Sequence, residues 1–205
     1  MEKYIGLLGK NGAGKTTLIK LINDLLVPSS GEVLFENQKI GAYSKEKIAY
    51  LPDRNVFNKE QKVKNIIKFL ADFYENFNTE KAYDLIKKLN LDENSKISEM
   101  SKGMIERLNI ALVMSRNASL YILDEPLGGI DPATRENIIE TIITNFNENS
   151  SLIISTHLIS DIEKILDEII FIDNGKIVLT SSADELREKE KYSIDEVFRP
   201  TIKCQ

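Results

Sequence analysis

Residues Gly9-Lys10-Asn11-Gly12-Ala13-Gly14-Lys15-Thr16 follow the spacing G-x-x-x-x-G-K-[ST], and this octet restricts the chain more than any other feature. Three glycines in six positions let the backbone curl so that successive N–H groups converge on an anion. A helix beginning at the Lys-Thr pair adds its own N-terminal N–H groups. Such a loop needs a strand to deliver it and a helix to receive it, and both flanks comply. Residues 4–8 are an apolar, β-compatible run, and Leu18, Leu21, Ile22 and Leu25 fall on one helical face. Gly9, Asn11, Gly12, Ala13, Gly14, Lys15, Thr16 and Thr17 are therefore the candidate phosphate-binding residues. Lys15 is placed to reach β- and γ-phosphates and Thr16 to take a magnesium site.

Residues 120–125 read Leu-Tyr-Ile-Leu-Asp-Glu, a buried strand ending in two carboxylates. A strand ending in Asp-Glu is common by itself. Downstream of a phosphate loop it gains meaning: Asp124 can hold Mg²⁺ directly or through water, and Glu125 can polarise a water against a γ-phosphate. Together the two motifs point to a nucleotide hydrolase rather than a passive binder.

The remaining pattern predicts an α/β fold with a mainly parallel sheet. Apolar runs at 48–51, 120–123 and 152–154 alternate with helical patterns at 132–146 and 160–166, which implies a sheet covered on both faces. Residues 32–35 read as a short strand before a polar turn at 36–39. Asn174-Gly175 between apolar runs predicts a tight hairpin, because this pair supplies two positive φ angles. Between Val56 and Met100 the chain turns into lysine-rich helix. One apolar stripe holds Val63, Ile66, Ile67 and Leu70, a second Ala82, Leu85, Ile86 and Leu89. The expected organisation is a discontinuous core of residues 1–55 and 101–198, a helical subdomain at 56–100 and a tail at 199–205. Lys59, Lys62, Lys64 and Lys68 form the solvated face of that insertion.

Composition excludes several classes. The 205 residues suffice for one sizeable domain, and 42% hydrophobic with 29% charged residues is the profile of a packed globular protein. A net charge of −5 calls for no nucleic acid, so any anion is held locally. The single cysteine, Cys204, excludes an intrachain disulfide and fits a reducing compartment. No run approaches the ~20 apolar residues of a membrane span, and the apolar stretch at residues 4–8 is too short for a signal-peptide core, so export is not expected. Membrane association is expected only through a partner.

The order of further motifs resembles the ATP-binding cassette (ABC) ATPases, from Ile5 to Val197. Met100-Ser101-Lys102-Gly103-Met104 is similar to that family's Leu-Ser-Gly-Gly-Gln signature, retaining Ser101 and Gly103, with Arg107 in the following helix. Lys102 and Met104 depart from it in a manner that resembles cassettes of export-type, two-component transporters. Gly129-Ile130-Asp131 follows Glu125-Pro126 as the family's D-loop does, and His157, the one histidine, stands where its switch histidine does. The resemblance implies binding and hydrolysis of Mg-ATP, with Glu125 and His157 catalytic and Thr16 and Asp124 at the metal. It also implies a head-to-tail homodimer or heterodimer in which Ser101, Gly103 and Asp131 face the other subunit's nucleotide. A separate integral-membrane permease would engage near Asp53, Val56 and Phe57, holding the chain at the cytoplasmic face of the membrane. Ser101 and Asp131 also read simply as helix caps.

Two departures bear on this expectation. The family's glutamine between core and helical lobe is Asp53 here, which can approach Mg²⁺ but cannot donate a hydrogen bond and adds negative charge. Family members also carry about thirty more residues ahead of the loop, including an aromatic that stacks on adenine, where this chain has eight. Tyr4 belongs to the strand feeding the loop and substitutes poorly. Loss of a stacking contact of about 1–3 kcal/mol predicts ATP binding weaker by about tenfold or more, with relaxed base selectivity. The alternatives are a soluble cassette ATPase and a regulatory nucleotide-binding module uncoupled from transport. Ribosome-acting relatives usually carry two cassettes, chromosome-maintenance relatives a long coiled coil, and a small-molecule kinase would leave Ser101, Asp131 and His157 unexplained.

Overall fold

The computed structural model describes residues 3–147 and 149–190. The expected end of the core at 198, the tail at 199–205 and Cys204 lie outside the described residues. The chain runs β1 (Lys3–Leu8), α1 (Lys15–Ile22), β2 (Leu34–Phe35), β3 (Gln38–Lys39), α2 (Ala42–Lys47), β4 (Ile48–Leu51), α3 (Val63–Phe73) and α4 (Thr79–Lys88). A 3-10 turn at Ile97–Glu99 precedes α5 (Lys102–Met114), β5 (Leu120–Asp124), α6 (Pro132–Asn145), β6 (Ser151–Thr156), α7 (Ile159–Ile162), β7 (Glu168–Asp173), β8 (Lys176–Ser182) and α8 (Ala183–Glu190).

Among the described residues six strands form one sheet in the order β4-β5-β6-β1-β7-β8, in which only the β7–β8 hairpin is antiparallel. The parallel register decides where chemistry collects. Leu8 pairs with Thr156 and Asp124 with Ser155, so β1, β5 and β6 end level with one another. The segments leaving them, the loop from Gly9, the Asp124-Glu125 pair and His157, emerge at one sheet edge. Ligands of open α/β sheets bind beyond the carboxyl ends of such strands.

The core is asymmetric. On one face a large cluster joins strand residues such as Leu123, Ile154 and Phe171 to Val63, Ile66, Leu85 and Leu108 of the helices. On the other, α1 packs Ile19 against Leu7, Ile122 and Ile172 in a smaller cluster. Residues 56–100 contain α3, α4 and the 3-10 turn, and their apolar stripes belong to the larger cluster. Helix starts follow local chemistry: Asn78, Ser101 and Asp131 each accept a backbone N–H at the first turn, and Pro132 follows Asp131.

Several expectations need correction. The expected strand at 32–35 and turn at 36–39 are a small separate hairpin: β2 and β3 have two residues each, and Glu36 (φ 50°) and Asn37 (φ 62°) make the turn. The helix expected at 160–166 ends at Ile162. Its continuation is diverted because Leu166 packs against Gly6, and the Asp167 backbone N–H donates to Tyr4 O at 2.8 Å, starting the approach to β7. Helices α2 and α8 were not anticipated. The Asn174-Gly175 turn is as expected, with φ of 48° and 75°.

Candidate functional site

The loop after β1 is shaped by two left-handed glycines, Gly12 (φ 83°) and Gly14 (φ 110°). Gly14 is the N-cap of α1 and supplies no side-chain acceptor, so the first N–H groups of the helix remain available to an anion. Asn11, Gly12 and Thr17 are exposed, Thr16 is half-buried, and Ala13 and Lys15 are buried. The Lys15 ammonium folds back over its own loop, donating to Gly9 O at 2.7 Å and Lys10 O at 3.2 Å. It also lies 3.0 Å from Glu125 Oε1.

Asp124, at the end of β5, is only 1% exposed. Its Oδ1 accepts a short hydrogen bond from the Ser155 hydroxyl, while Oδ2 is buried without a hydrogen-bond partner. Burial pushes the Asp124 carboxyl above the usual carboxylate range. The Ser155 and Thr16 hydroxyls work against that shift, and the charges of Asp53 and Glu125 add to it. A buried acidic oxygen without a donor beside a phosphate loop is the chemistry a divalent cation satisfies. Among the described residues no group of three or more His, Cys, Asp and Glu side chains makes an all-protein metal cage. Mg²⁺ at nucleotide sites needs none, since one or two protein oxygens with phosphate oxygens and waters complete its shell. Asp124 with Thr16 fits that arrangement.

Glu125 adopts φ of 50°, costly for a side chain with a Cβ and held by its surroundings. Its N–H donates to Ser155 O at 3.0 Å and Ser155 Oγ at 3.1 Å, and its O accepts from Gly128 N at 3.1 Å. So clamped, its carboxylate stands in ion-pair contact with Lys15 through Oε1, which is buried and receives no hydrogen bond, and meets His157 Nδ1 through Oε2 at 2.9 Å. With Glu125 ionised, Nδ1 is the donor of that bond. Lys15, Asp124, Glu125 and His157 thus converge from three segments.

The other sequence candidates make local contacts. Ser101 caps α5 by accepting from Met104 N at 3.3 Å, and Asp131 caps α6 through Thr134 N at 3.0 Å and Thr134 Oγ1 at 2.7 Å. The bonds from Thr134 hold the Asp131 carboxyl below the usual range. Gly103 packs against Thr134 and the Lys102 ammonium against Gly129, so these two loops form one surface within the chain. None of their hydrogen bonds reaches the phosphate loop. Asp53, exposed after β4, lies 3.9 Å from Arg54 Nε and acts on Asp124 through its charge. The same charges add to burial in pushing Tyr50 up to about 12.

Sequence reasoning missed Ser155, fully buried, which braces both carboxylates of the Asp124-Glu125 pair. Its signal was a hydroxyl ending an otherwise apolar strand just before His157.

A pH dependence follows from Asp124. A carboxyl whose folded-state pKa is raised favours the fold when protonated, so its contribution is lost as pH rises through that pKa. The nucleotide-free protein is expected to lose Tm as pH climbs out of the ordinary aspartate range. Asp124→Asn should flatten that slope and remove any stabilisation by Mg-ATP. Thermal melts against pH, with and without Mg-ATP, check both.

Comparison with known proteins adds an independent line. The model of the family described as ABC transporter matches residues 1–128. The chain is 32% identical over 190 residues to the ABC transporter ATP-binding protein YtrB of Bacillus subtilis (strain 168), covering 91% of this chain and 65% of YtrB. It is 30% identical over 198 residues to the lantibiotic transport ATP-binding protein SrtF of Streptococcus pyogenes, covering 96% and 86%. Against several curated relatives it spans between 56% and 65% of their length. A solved ATP-binding subunit of an ABC transporter superposes with a TM-score of 0.86 over 97% of this chain and 88% of that one; at 24% identity it shows the fold alone.

Proposed function

The chain belongs to the ABC transporter family, and from that premise we propose that it binds and hydrolyses ATP to power a transporter whose permease is a separate membrane protein. The observation that carries the reading is the Lys15–Glu125–His157 bridge, closed at 3.0 Å and 2.9 Å beside buried Asp124. Lys15 and the loop N–H groups bind and orient the β- and γ-phosphates. Thr16 and Asp124, with Asp53 nearby, would hold Mg²⁺, which would supply charge neutralisation of the phosphates. Glu125 accepts the proton of the attacking water, and His157 holds Glu125 in place.

In this reading residues 1–55 and 101–198 are the ATPase core and 56–100 a helical subdomain. A second cassette, identical or related, brings its Ser101, Gly103 and Asp131 to this chain's nucleotide. Between α2, β4 and α3 lies a cavity of about 750 Å³ lined by Val56, Phe57, Phe69, Phe73 and Arg116. Its rim is apolar and open to solvent, with Val56 70%, Phe69 56% and Phe73 66% exposed. That surface supports permease docking close to Asp53. Among the described residues no helix is long and apolar enough to cross a membrane; in this reading the permease is what holds the chain at the cytoplasmic face. Lys102 and Met104 favour an export-type transporter.

The test is affinity purification of the tagged chain from detergent-solubilised membranes of its native host. A multi-span protein should accompany the chain in stoichiometric amount and be lost from Phe73→Asp, which retains ATP binding. Recovery only from the soluble fraction would remove the transport reading and leave an uncoupled ATPase.

A further inference from the structure

A loop that binds phosphate through backbone N–H groups must turn the opposing carbonyls away from the anion, and each carbonyl turned away needs a donor of its own. The donors around this loop can be assigned. Gly9 O and Lys10 O take the Lys15 ammonium, Lys10 O also takes Ala13 N at 3.1 Å, and Gly14 O takes Leu18 N at 3.0 Å. Those donors come from the loop and its helix. Ala13 O differs, because it accepts from Gly175 N at 2.8 Å, in the turn between β7 and β8.

The hairpin also packs against the loop. A Cβ at Gly14 would stand 3.3 Å from Gly175 Cα, and one at Gly9 would stand 2.5 Å from Ile172 O. Ala13 and Ile172 share the smaller apolar cluster. The β7–β8 ladder slips between Phe171 and Ile172, an irregularity of the kind that bends a hairpin and adds twist. Asn174 and Gly175 supply the two left-handed residues that close the turn. This turn is therefore a wall of the phosphate loop rather than a peripheral connection.

We infer that the Asn174-Gly175 turn positions the nucleotide: Gly175 N–H pins Ala13 O, which aims the Gly14 N–H at the phosphates. The peptide plane enforces the second step, because in a trans peptide the Ala13 C=O and the Gly14 N–H point in opposite directions. Holding the carbonyl on the hairpin holds the N–H toward the concave side of the loop. Without the Gly175 donor the Ala13–Gly14 peptide is free to rotate, and ATP must order it on binding. Gly175 is a positioning residue that touches no reacting atom. The inference rests on the reading that this loop binds ATP, and it adds a determinant of affinity outside the loop motif.

The experiment compares the unmodified chain with one carrying an extra glycine between Asn174 and Gly175, and with Lys176→Ala, an exposed position beside the turn. The insertion displaces the donor N–H, whereas Lys176→Ala leaves the backbone of the turn as it is. The insertion is expected to raise the KM for ATP about tenfold and leave kcat within about twofold. Lys176→Ala should stay within about twofold on both. A merely structural turn would lower Tm without moving KM, and wild-type KM in the insertion variant overturns the proposal. Hydrogen exchange on the unmodified chain covers the case in which the variant does not fold. The Gly175 amide should be protected in the free protein and slow at least about fivefold further with bound ATP. Exchange at the rate of an open turn in both states also overturns it. If the unmodified chain binds no ATP, the functional reading itself fails, a result distinguishable from unchanged KM in a protein that does bind.

Discussion

Glu125→Gln is expected to lower ATP turnover by roughly 10²–10⁴-fold, the contribution of a positioned general base, while the protein still binds ATP. The glutamine has nearly the same shape and can still meet His157, but it cannot accept the proton of water at neutral pH. It also removes the carboxylate that holds Lys15 at 3.0 Å, freeing the ammonium for phosphate. ATP affinity should therefore be at least that of the unmodified chain, and on the proposed reading complexes of two cassettes should persist in ATP because the bound nucleotide is not hydrolysed. Phosphate release and size-exclusion chromatography with Mg-ATP measure the two effects. Turnover at the unmodified rate would refute Glu125 as the base. Loss of both binding and turnover would instead mark the carboxylate as structural.

Arg116→Ala is expected to cost about 4 kcal/mol of stability, or about 8–16 °C in Tm for a domain of this size. Arg116 is buried at the C-terminal end of α5. Its guanidinium donates to Ile48 O at 2.7 Å, Glu46 O at 2.8 Å, Lys45 O at 3.1 Å and Asn76 Oδ1 at 3.1 Å. It also lies 3.7 Å over the Tyr74 ring. One side chain thus joins the end of α2, the start of β4 and the segment between α3 and α4. Truncation withdraws the guanidinium from three backbone carbonyls, of which Glu46 O keeps a bond from Asn76 Nδ2 at 2.6 Å; Ile48 O and Lys45 O lose a donor at about 1–3 kcal/mol each where water cannot replace it, and the neighbouring cavity lets water recover part of this. Arg116→Lys keeps the charge but lacks the planar fork, so it should recover less than half of the loss. Denaturant unfolding of the three proteins measures this directly. A change below about 1 kcal/mol for the alanine variant would show that the bonds add nothing net.

Much of the fold was legible because its signals are local. The octet at Gly9–Thr16 demands a strand before it and a helix after it, and β1 and α1 lie there. Asn174-Gly175 demands two positive φ angles, and the hairpin turn has them. The run at 48–51 is β4 to the residue. Less legible were elements set by distant contacts. No local signal stops a helix at Ile162; Asp167 meeting Tyr4 on β1 does so. Helix α8 has a largely charged sequence, and it is anchored by Leu186 and Ala183 in the core and by Ala183 N donating to Asp167 O at 2.8 Å.

At the site the division is the same. The sequence alone determined which groups are present: a glycine loop with a lysine, a strand ending in two carboxylates, and a histidine after another strand. Spacing along the chain cannot bring positions 15, 125 and 157 together. The parallel register of β1, β5 and β6 does so, by ending three strands at one level, and so only the tertiary structure closes the Lys15–Glu125–His157 bridge. It likewise decides that Ser155 braces the carboxylates and that Gly175 holds Ala13, while Ser101 and Asp131 bond within the first turns of their own helices. Hydrogen bonds act over about 3 Å and take no account of sequence separation, whereas motif spacing records only what neighbouring residues demand of one another.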